Sequence, residues 1–254
     1  MQLSAARAWP GAWLRAMCVV GLASAQLVSA QTHHLLLLPR EAVITGAGVS
    51  LVGFGVWRSN VNSHRAQATV DLATVPLFDR VATRQWSLPA HRSSNLLFGV
   101  SAAAALAVAI TNQHGEQPLL PVAIMAESSL LCVGLTNTVK ELVHRPRPYL
   151  YNPDVPASMH DPREDEVSFW SGHTANTAAI TFSCASMVQR SDASSELKTA
   201  TWIGAAVAPA AMGYLRVRVG RHFPTDVLTG YAVGALVGIV VPYFHRSDNG
   251  SSGN

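Results

Sequence analysis

Six apolar stretches recur along the chain, divided by shorter polar links: Ala42–Trp57, Leu96–Thr111, Leu119–Val139, Gly172–Val188, Thr201–Leu215 and Val227–Phe244. They are rich in alanine, leucine and glycine and lack the alternation of period two that a half-buried strand imposes. The pattern predicts helices. Most approach the roughly 20 residues that cross a bilayer. The expected fold is therefore all-α, a bundle of about five to six mostly membrane-spanning helices. Short helices of a soluble bundle are the alternative.

Two details of the pattern refine this picture. Gly230, Gly234 and Gly238 repeat every four residues on the last helix, a smooth stripe that lets a neighbouring helix approach closely. Glu127 lies inside an apolar stretch, where a carboxylate must face the bundle interior or a polar cavity. A structural partner is expected for it. Residues 58–93 form a long polar connection carrying Arg58, Arg65, Arg80, Arg84 and Arg92. A connection of that length predicts a short helix near Pro76–Trp86. The tail after His245 reads as disordered.

Only 13% of the residues are charged and 49% are hydrophobic, against roughly 25% charged in an ordinary soluble domain. The net charge of +3 contains no Lys/Arg run, so nothing points to a nucleic-acid partner. Residues 1–30 resemble an export signal. Arg7 and Arg15 precede the small, apolar run Ala16–Ala30, and Val28-Ser29-Ala30 fits a cleavage site. This leaves 31–254 as one helical domain with its core at 94–245. Cys132 and Cys184 sit in apolar stretches and read as packing residues. No Cys/His metal spacing appears.

Three clusters carry candidate chemistry. Lys140 to Pro148 (KELVHRPRP) ends a helix, with Pro146 and Pro148 forcing an exit. Its cations suit a helix C-terminus, a membrane flank or an anion site. Ser168 to Thr174 (SFWSGHT) opens the next helix, with Ser171 as N-cap, Gly172 allowing close approach and His173 in the first turn. Such a helix N-terminus binds phosphate readily. Arg216 to Asp226 (RVRVGRHFPTD) links two helices, with Pro224 suited to a first turn. At a spacing of four, the Asp226 carboxylate can reach one nitrogen of His222, fix its tautomer and leave the other free. Arg145, Arg218 and Arg221 read as solvated or packing charges.

Taken together, the clusters resemble the type 2 phosphatidic acid phosphatase family, which includes acid phosphatases and vanadium haloperoxidases. The family pattern K-x6-RP, PSGH, SR-x5-H-x3-D is met by Lys140, Arg147 and Pro148, by Ser171, Gly172 and His173, and by Arg216, His222 and Asp226. Trp170 replaces the usual proline and Leu215 the usual serine. The tryptophan is expected to alter the pocket mouth, and the leucine to remove one hydrogen bond. The resemblance implies an active site at helix ends. In it His222 is the nucleophile that becomes phosphorylated, Asp226 orients it, and His173 is the acid for the leaving oxygen. Lys140, Arg147, Ser171, Gly172 and Arg216 hold the phosphate, without metal or other cofactor.

The expected substrate is a lipid phosphate or an isoprenyl pyrophosphate. The expected location is a bacterial inner membrane with the site facing the periplasm. A modest mean hydropathy of +0.21 keeps open a soluble, exported acid phosphatase acting on small phosphoesters. A non-catalytic anion-binding membrane protein is a third reading. The arginines of 58–93 argue for the opposite orientation if Ala42–Trp57 spans the membrane.

Overall fold

The computed structural model describes residues 39–62, 70–112 and 119–245, so the export-signal segment 1–30 and the tail after His245 lie outside the described residues. The chain falls into two units, Met1–Val43 and Ile44–Asn254. Only the start of the first helix belongs to the described part of the former, and the description below concerns the latter. Six α-helices stand among the described residues: α1 (Pro39–Asn62), α2 (Leu88–Thr111), α3 (Leu120–Val143), α4 (Gly172–Val188), α5 (Ser195–Arg218) and α6 (Pro224–Phe244). No strand occurs among these residues.

The helices are the six expected ones, but most run longer, and the extra turns are polar. α2 starts at Leu88 because the Ser87 hydroxyl accepts from the Ala90 N–H and Pro89 occupies the first turn. α5 starts at Ser195 through the same device, Ser194 accepting from the Leu197 N–H, with Glu196 in its first turn and Arg216 and Arg218 in its last. Apolar periodicity cannot report such turns, since they lie at the polar ends of the bundle. The predicted helix near Pro76–Trp86 is a short 3₁₀ turn, Arg80–Arg84, preceded by another at Leu72–Thr74.

α4 is the central helix and packs on α2, α3, α5 and α6. Thirteen of its residues are buried, among them Thr177, Thr181 and Ser183. Those hydroxyls escape an unsatisfied state by bonding back along the helix, as Thr177 Oγ1 does to the His173 carbonyl (2.8 Å) and Thr181 Oγ1 to that of Thr177 (2.9 Å). Ser183 instead meets Ser128 of α3 at 3.2 Å.

The tightest packing is α4 against α6, and the glycine stripe explains it. A Cβ on Gly230 would lie 2.7 Å from the Ser171 carbonyl oxygen, on Gly234 2.0 Å from that of Ala175, and on Gly238 2.5 Å from that of Ala179. Helix backbones therefore touch along three turns, which no side chain but hydrogen permits. Cys132 and Cys184 are buried free thiols, as expected of packing residues. Glu127 also has structural partners: it accepts from Thr45 Oγ1 (2.9 Å) and pairs with His245 Nε2 (3.0 Å).

Four helical segments, 42–61, 88–111, 120–151 and 224–244, are long and apolar enough to cross a membrane. Large apolar side chains on them face outward, including Val49, Trp57, Leu96, Val100 and Leu236. A band of this kind is stable where lipid rather than water surrounds it.

Gly234→Ala is expected to lower stability by about 1–3 kcal/mol, the usual cost of overpacking. Gly53→Ala, where an added Cβ meets nothing within 4 Å, should leave stability unchanged or raise it slightly. Thermal unfolding in detergent compares the two. Equal melting temperatures would remove the α4–α6 contact as a determinant of the bundle.

Candidate active site

The three clusters converge where α3 ends, α4 begins and the α5–α6 link turns. α3 stops at His144, which adopts a left-handed conformation (φ 50°) and turns the chain out. Arg145, Pro146 and Arg147 then run in an extended segment that the prolines keep from rejoining a helix. α5 ends at Arg218, and Gly220 (φ 75°) turns the chain beyond it, where a Cβ would lie 2.3 Å from the Gln85 carbonyl oxygen. Glycine is thus required both for the conformation and for the space, and the turn it makes delivers Arg221 and His222 to the entrance of α6.

His222 is 1% exposed. Its Nδ1 lies 2.8 Å from the Ser168 carbonyl oxygen. A carbonyl can only accept, so Nδ1 carries the proton and the Nε2 lone pair is left free. Burial first, and then the positive charges of Arg147, Arg216 and Lys140, hold the imidazole well below its ordinary pKa, against the opposing hydrogen bond from Ser168. The neutral, nucleophilic form therefore persists as pH falls through 6.5.

Asp226 does not fill the direct role expected for it. Its carboxylate is 3.7 Å from His222 Nδ1, beyond hydrogen-bond length. The reason is that its oxygens are engaged elsewhere. Oδ2 accepts from the Phe223 N–H (2.8 Å) at the start of α6 and from the Ser168 hydroxyl, and Oδ1 accepts from Arg145 Nη1. Asp226 thus positions His222 through Ser168, whose hydroxyl it holds and whose carbonyl fixes the ring.

Arg145, read from the sequence as a solvated or packing charge, is the hub of this network. It bridges Asp226 and the fully buried Asp79 and stacks 4.0 Å from the Phe223 ring centroid. Asp79 also accepts from the Thr225 backbone N–H (3.0 Å) and hydroxyl (2.6 Å). Arg218 donates to Gln85 at the exposed edge, and Arg221 lies over the Tyr149 ring. Sequence reasoning passed over Asp79 and named Ser168 only as the start of the second cluster, without a role. A lone aspartate next to the apolar pair Leu77-Phe78, and a serine two residues before Trp170, were the available signals.

Arg147 and Arg216 are almost wholly buried, at 2% and 3% exposure. Arg147 donates to the Glu164 carboxylate and carbonyl and to the Arg221 carbonyl (3.2 Å). Arg216 donates to Ser94 of α2 (3.2 Å), so a serine from another helix meets the guanidinium that Leu215 cannot serve. Arg216 Nε has no hydrogen-bond partner among the described residues. A buried guanidinium with an unused donor is costly unless a ligand oxygen accepts from it.

His173 stands in the first turn of α4, its Nε2 3.3 Å from Asn95 Oδ1 and its ring edge-on to Phe98. Ser171 is the expected N-cap, accepting from the Thr174 N–H (3.4 Å). Its hydroxyl also meets that of Thr174 at 2.9 Å, which makes it a helix cap before it is a ligand. Gly172 packs with Thr136 of α3. Trp170 corrects an expectation: it is not at the pocket mouth but in the core, its indole N–H donating to Thr136 Oγ1 (2.8 Å). An indole that spans the gap to α3 buries more surface there than the smaller proline ring could.

Two outcomes are expected from this geometry. The His222 imidazole, followed by nitrogen NMR in labelled protein, should stay in the neutral Nδ1–H form at pH 6.5 and gain a proton only at more acid pH. A midpoint at or above 6.5 would contradict the electrostatic account. Asp79→Ala, which leaves Arg145 and the Thr225 N–H short of a buried acceptor, should cost about 2–3 kcal/mol of stability. An unchanged melting temperature would show the network to be dispensable.

Comparison with known proteins bears on the family of the chain. The phosphatidylglycerophosphatase B of Bacillus subtilis (strain 168) is 34% identical over 111 residues, 43% of this chain and 51% of that protein. The chain thus spans about half the length of that relative. The crystal structure of a transmembrane PAP2-type phosphatidylglycerolphosphate phosphatase from Bacillus subtilis is 23% identical, covers 78% of this chain and 94% of its own, and superposes with a TM-score of 0.49. The family model of the PAP2 superfamily matches residues 121–249, half of the chain and all three clusters, and the chain belongs to that superfamily.

Proposed function

We propose that this protein is a phosphatase that cleaves phosphate from a lipid phosphate or isoprenyl pyrophosphate through a phosphohistidine on His222. The observation that carries the reading is the state of His222. It is buried, held neutral, and has Nδ1 fixed by the Ser168 carbonyl so that Nε2 is free beside Arg147, Arg216 and Lys140.

In this mechanism Nε2 attacks phosphorus in line with the leaving oxygen. The P–N bond forms as the P–O bond breaks. His173, which burial and the neighbouring cations keep neutral in the empty site, takes up a proton once the phosphoryl charge offsets those cations and gives it to the departing alkoxide or phosphate oxygen. Water then attacks phosphorus, its proton passes to His173, and the P–N bond breaks to release inorganic phosphate. Arg147, Arg216 and Lys140 hold the equatorial oxygens as charge gathers on them, with the unused Arg216 Nε as one donor. The free N–H groups of the first turn of α4, at Gly172 and His173, add to this hold. Ser171 joins it if its hydroxyl turns from Thr174. Fixed cations supply the charge stabilisation, and the scheme needs no metal or other cofactor.

The setting supports a lipid substrate. Helices with outward apolar side chains support a site at the end of a membrane-embedded bundle, where an acyl or isoprenyl chain would stay in lipid while its headgroup meets the cations. The relative named a phosphatidylglycerophosphatase puts phosphatidylglycerophosphate in the panel beside phosphatidic acid and an isoprenyl pyrophosphate.

Phosphate release measured in mild detergent with EDTA tests the proposal, each lipid being compared with a small soluble ester. Release strongest on a lipid and reduced at least ~10⁴-fold in His222→Ala is expected, since loss of a nucleophile leaves only residual catalysis. Equal release from the soluble ester without detergent would favour a soluble acid phosphatase. Full activity in the variant would remove His222 as nucleophile, and no release from any substrate would favour a non-catalytic anion-binding protein.

A further inference from the structure

The cradle already contains an anion of the chain's own. Arg147 Nη2 donates to Glu164 Oε2, and Arg221 Nη1 lies 3.8 Å from the same oxygen. Burial opposes ionisation of Glu164, but the charges of Arg147, Lys140, Arg221 and Arg216 outweigh it and hold the carboxyl below its ordinary range. Three of those four cations, Lys140, Arg147 and Arg216, are the ones that the proposed mechanism uses for phosphate.

The backbone that carries Glu164 is fixed. The Glu164 N–H donates to the Asp161 carbonyl (2.8 Å) and the Arg147 N–H to the Asp165 carbonyl (2.8 Å). The buried Asp165 carboxylate accepts from the Tyr149 hydroxyl and from the Asp161 N–H (3.1 Å). The Glu164 side chain, by contrast, is 47% exposed, while that of its partner Arg147 is 2% exposed. The carboxylate therefore has water to swing into by side-chain rotation alone, whereas the guanidinium has nowhere to go.

We infer that Glu164 is an internal competitor of phosphate: its carboxylate occupies Arg147 in the empty site, and a substrate or product phosphoryl group binds by displacing it. The inference rests on the proposed cradle and adds to it a determinant of affinity. A phosphate bound to three cations with nothing to replace it would leave slowly. A tethered carboxylate that returns to Arg147 offsets the desolvation cost of the vacated guanidinium and so favours release of the product. The same competition disfavours weakly charged anions, which cannot displace a carboxylate held by a buried arginine.

Binding of inorganic phosphate and of orthovanadate to the full-length protein in detergent, measured by calorimetry, tests this directly without turnover. Glu164→Gln keeps the shape and removes the charge, and Glu164→Ala removes both. Each is expected to bind phosphate about tenfold more tightly than the wild type, the change expected when one charge-assisted competitor is lost. Melting temperatures establish that the variants fold. Should one fail to fold, the other supplies the same readout, because a half-exposed side chain tolerates more than one replacement. Weaker or unchanged binding in the folded variants would overturn the inference, since a Glu164 that merely positions Arg147 gives a loss of affinity on removal. Absence of binding to wild type and variants alike would overturn it together with the cradle on which it rests.

Discussion

The site depends on one buried carboxylate. Asp226 lies at the start of α6, and each of its contacts belongs to a different cluster. The Phe223 N–H comes from the link that carries His222, the Ser168 hydroxyl from the approach to α4, and the Arg145 guanidinium from the exit of α3. A fully buried anion must be paired and hydrogen-bonded or it neutralises. That requirement makes it a strong organiser, because satisfying it brings three segments of distant sequence to one point. Arg145 extends the constraint to Asp79 and so to the 3₁₀ turn that precedes α2. The His222 ring is oriented as a consequence of this network and not by a direct bond to the Asp226 carboxylate.

The pattern of chemistry along the chain was more legible than its wiring. Apolar periodicity located all six helices, and the glycine spacing on α6 anticipated the backbone contact with α4, because both are properties of single segments. The helix ends were missed where polar turns such as His91–Asn95 extend a helix toward the site, since those residues serve the site and not the core. Spacing also placed His222 and Asp226 one turn apart, but it could not say that Asp226 would be claimed by Ser168, Phe223 and Arg145. Those partners are remote in sequence, and hydrogen bonds between remote residues leave no period to read. Trp170 shows the same limit. Its place next to Ser171 suggested the pocket, while its indole points into the core toward Thr136.

Packing and chemistry are not separable in this bundle. The glycine stripe begins at Gly230, whose missing side chain makes room for the Ser171 carbonyl, and the Ser171 N–H donates to the Asp226 carbonyl at 3.1 Å. The N-termini of α4 and α6 are thus locked together by backbone contacts one turn from His173 and His222. Helix starts carry partial positive charge and unpaired N–H groups, so pressing two of them together is favourable only where an anion neutralises both. Asp226 does this on the inner side. On the outer side the same field adds to that of Lys140, Arg147 and Arg216, whose positive charge Glu164 offsets in part. An arrangement held together by the demand for negative charge is electrostatically suited to an anion. The contact that stabilises the fold and the positive field at the helix ends therefore have one origin, the convergence of two helix N-termini with Lys140, Arg147 and Arg216.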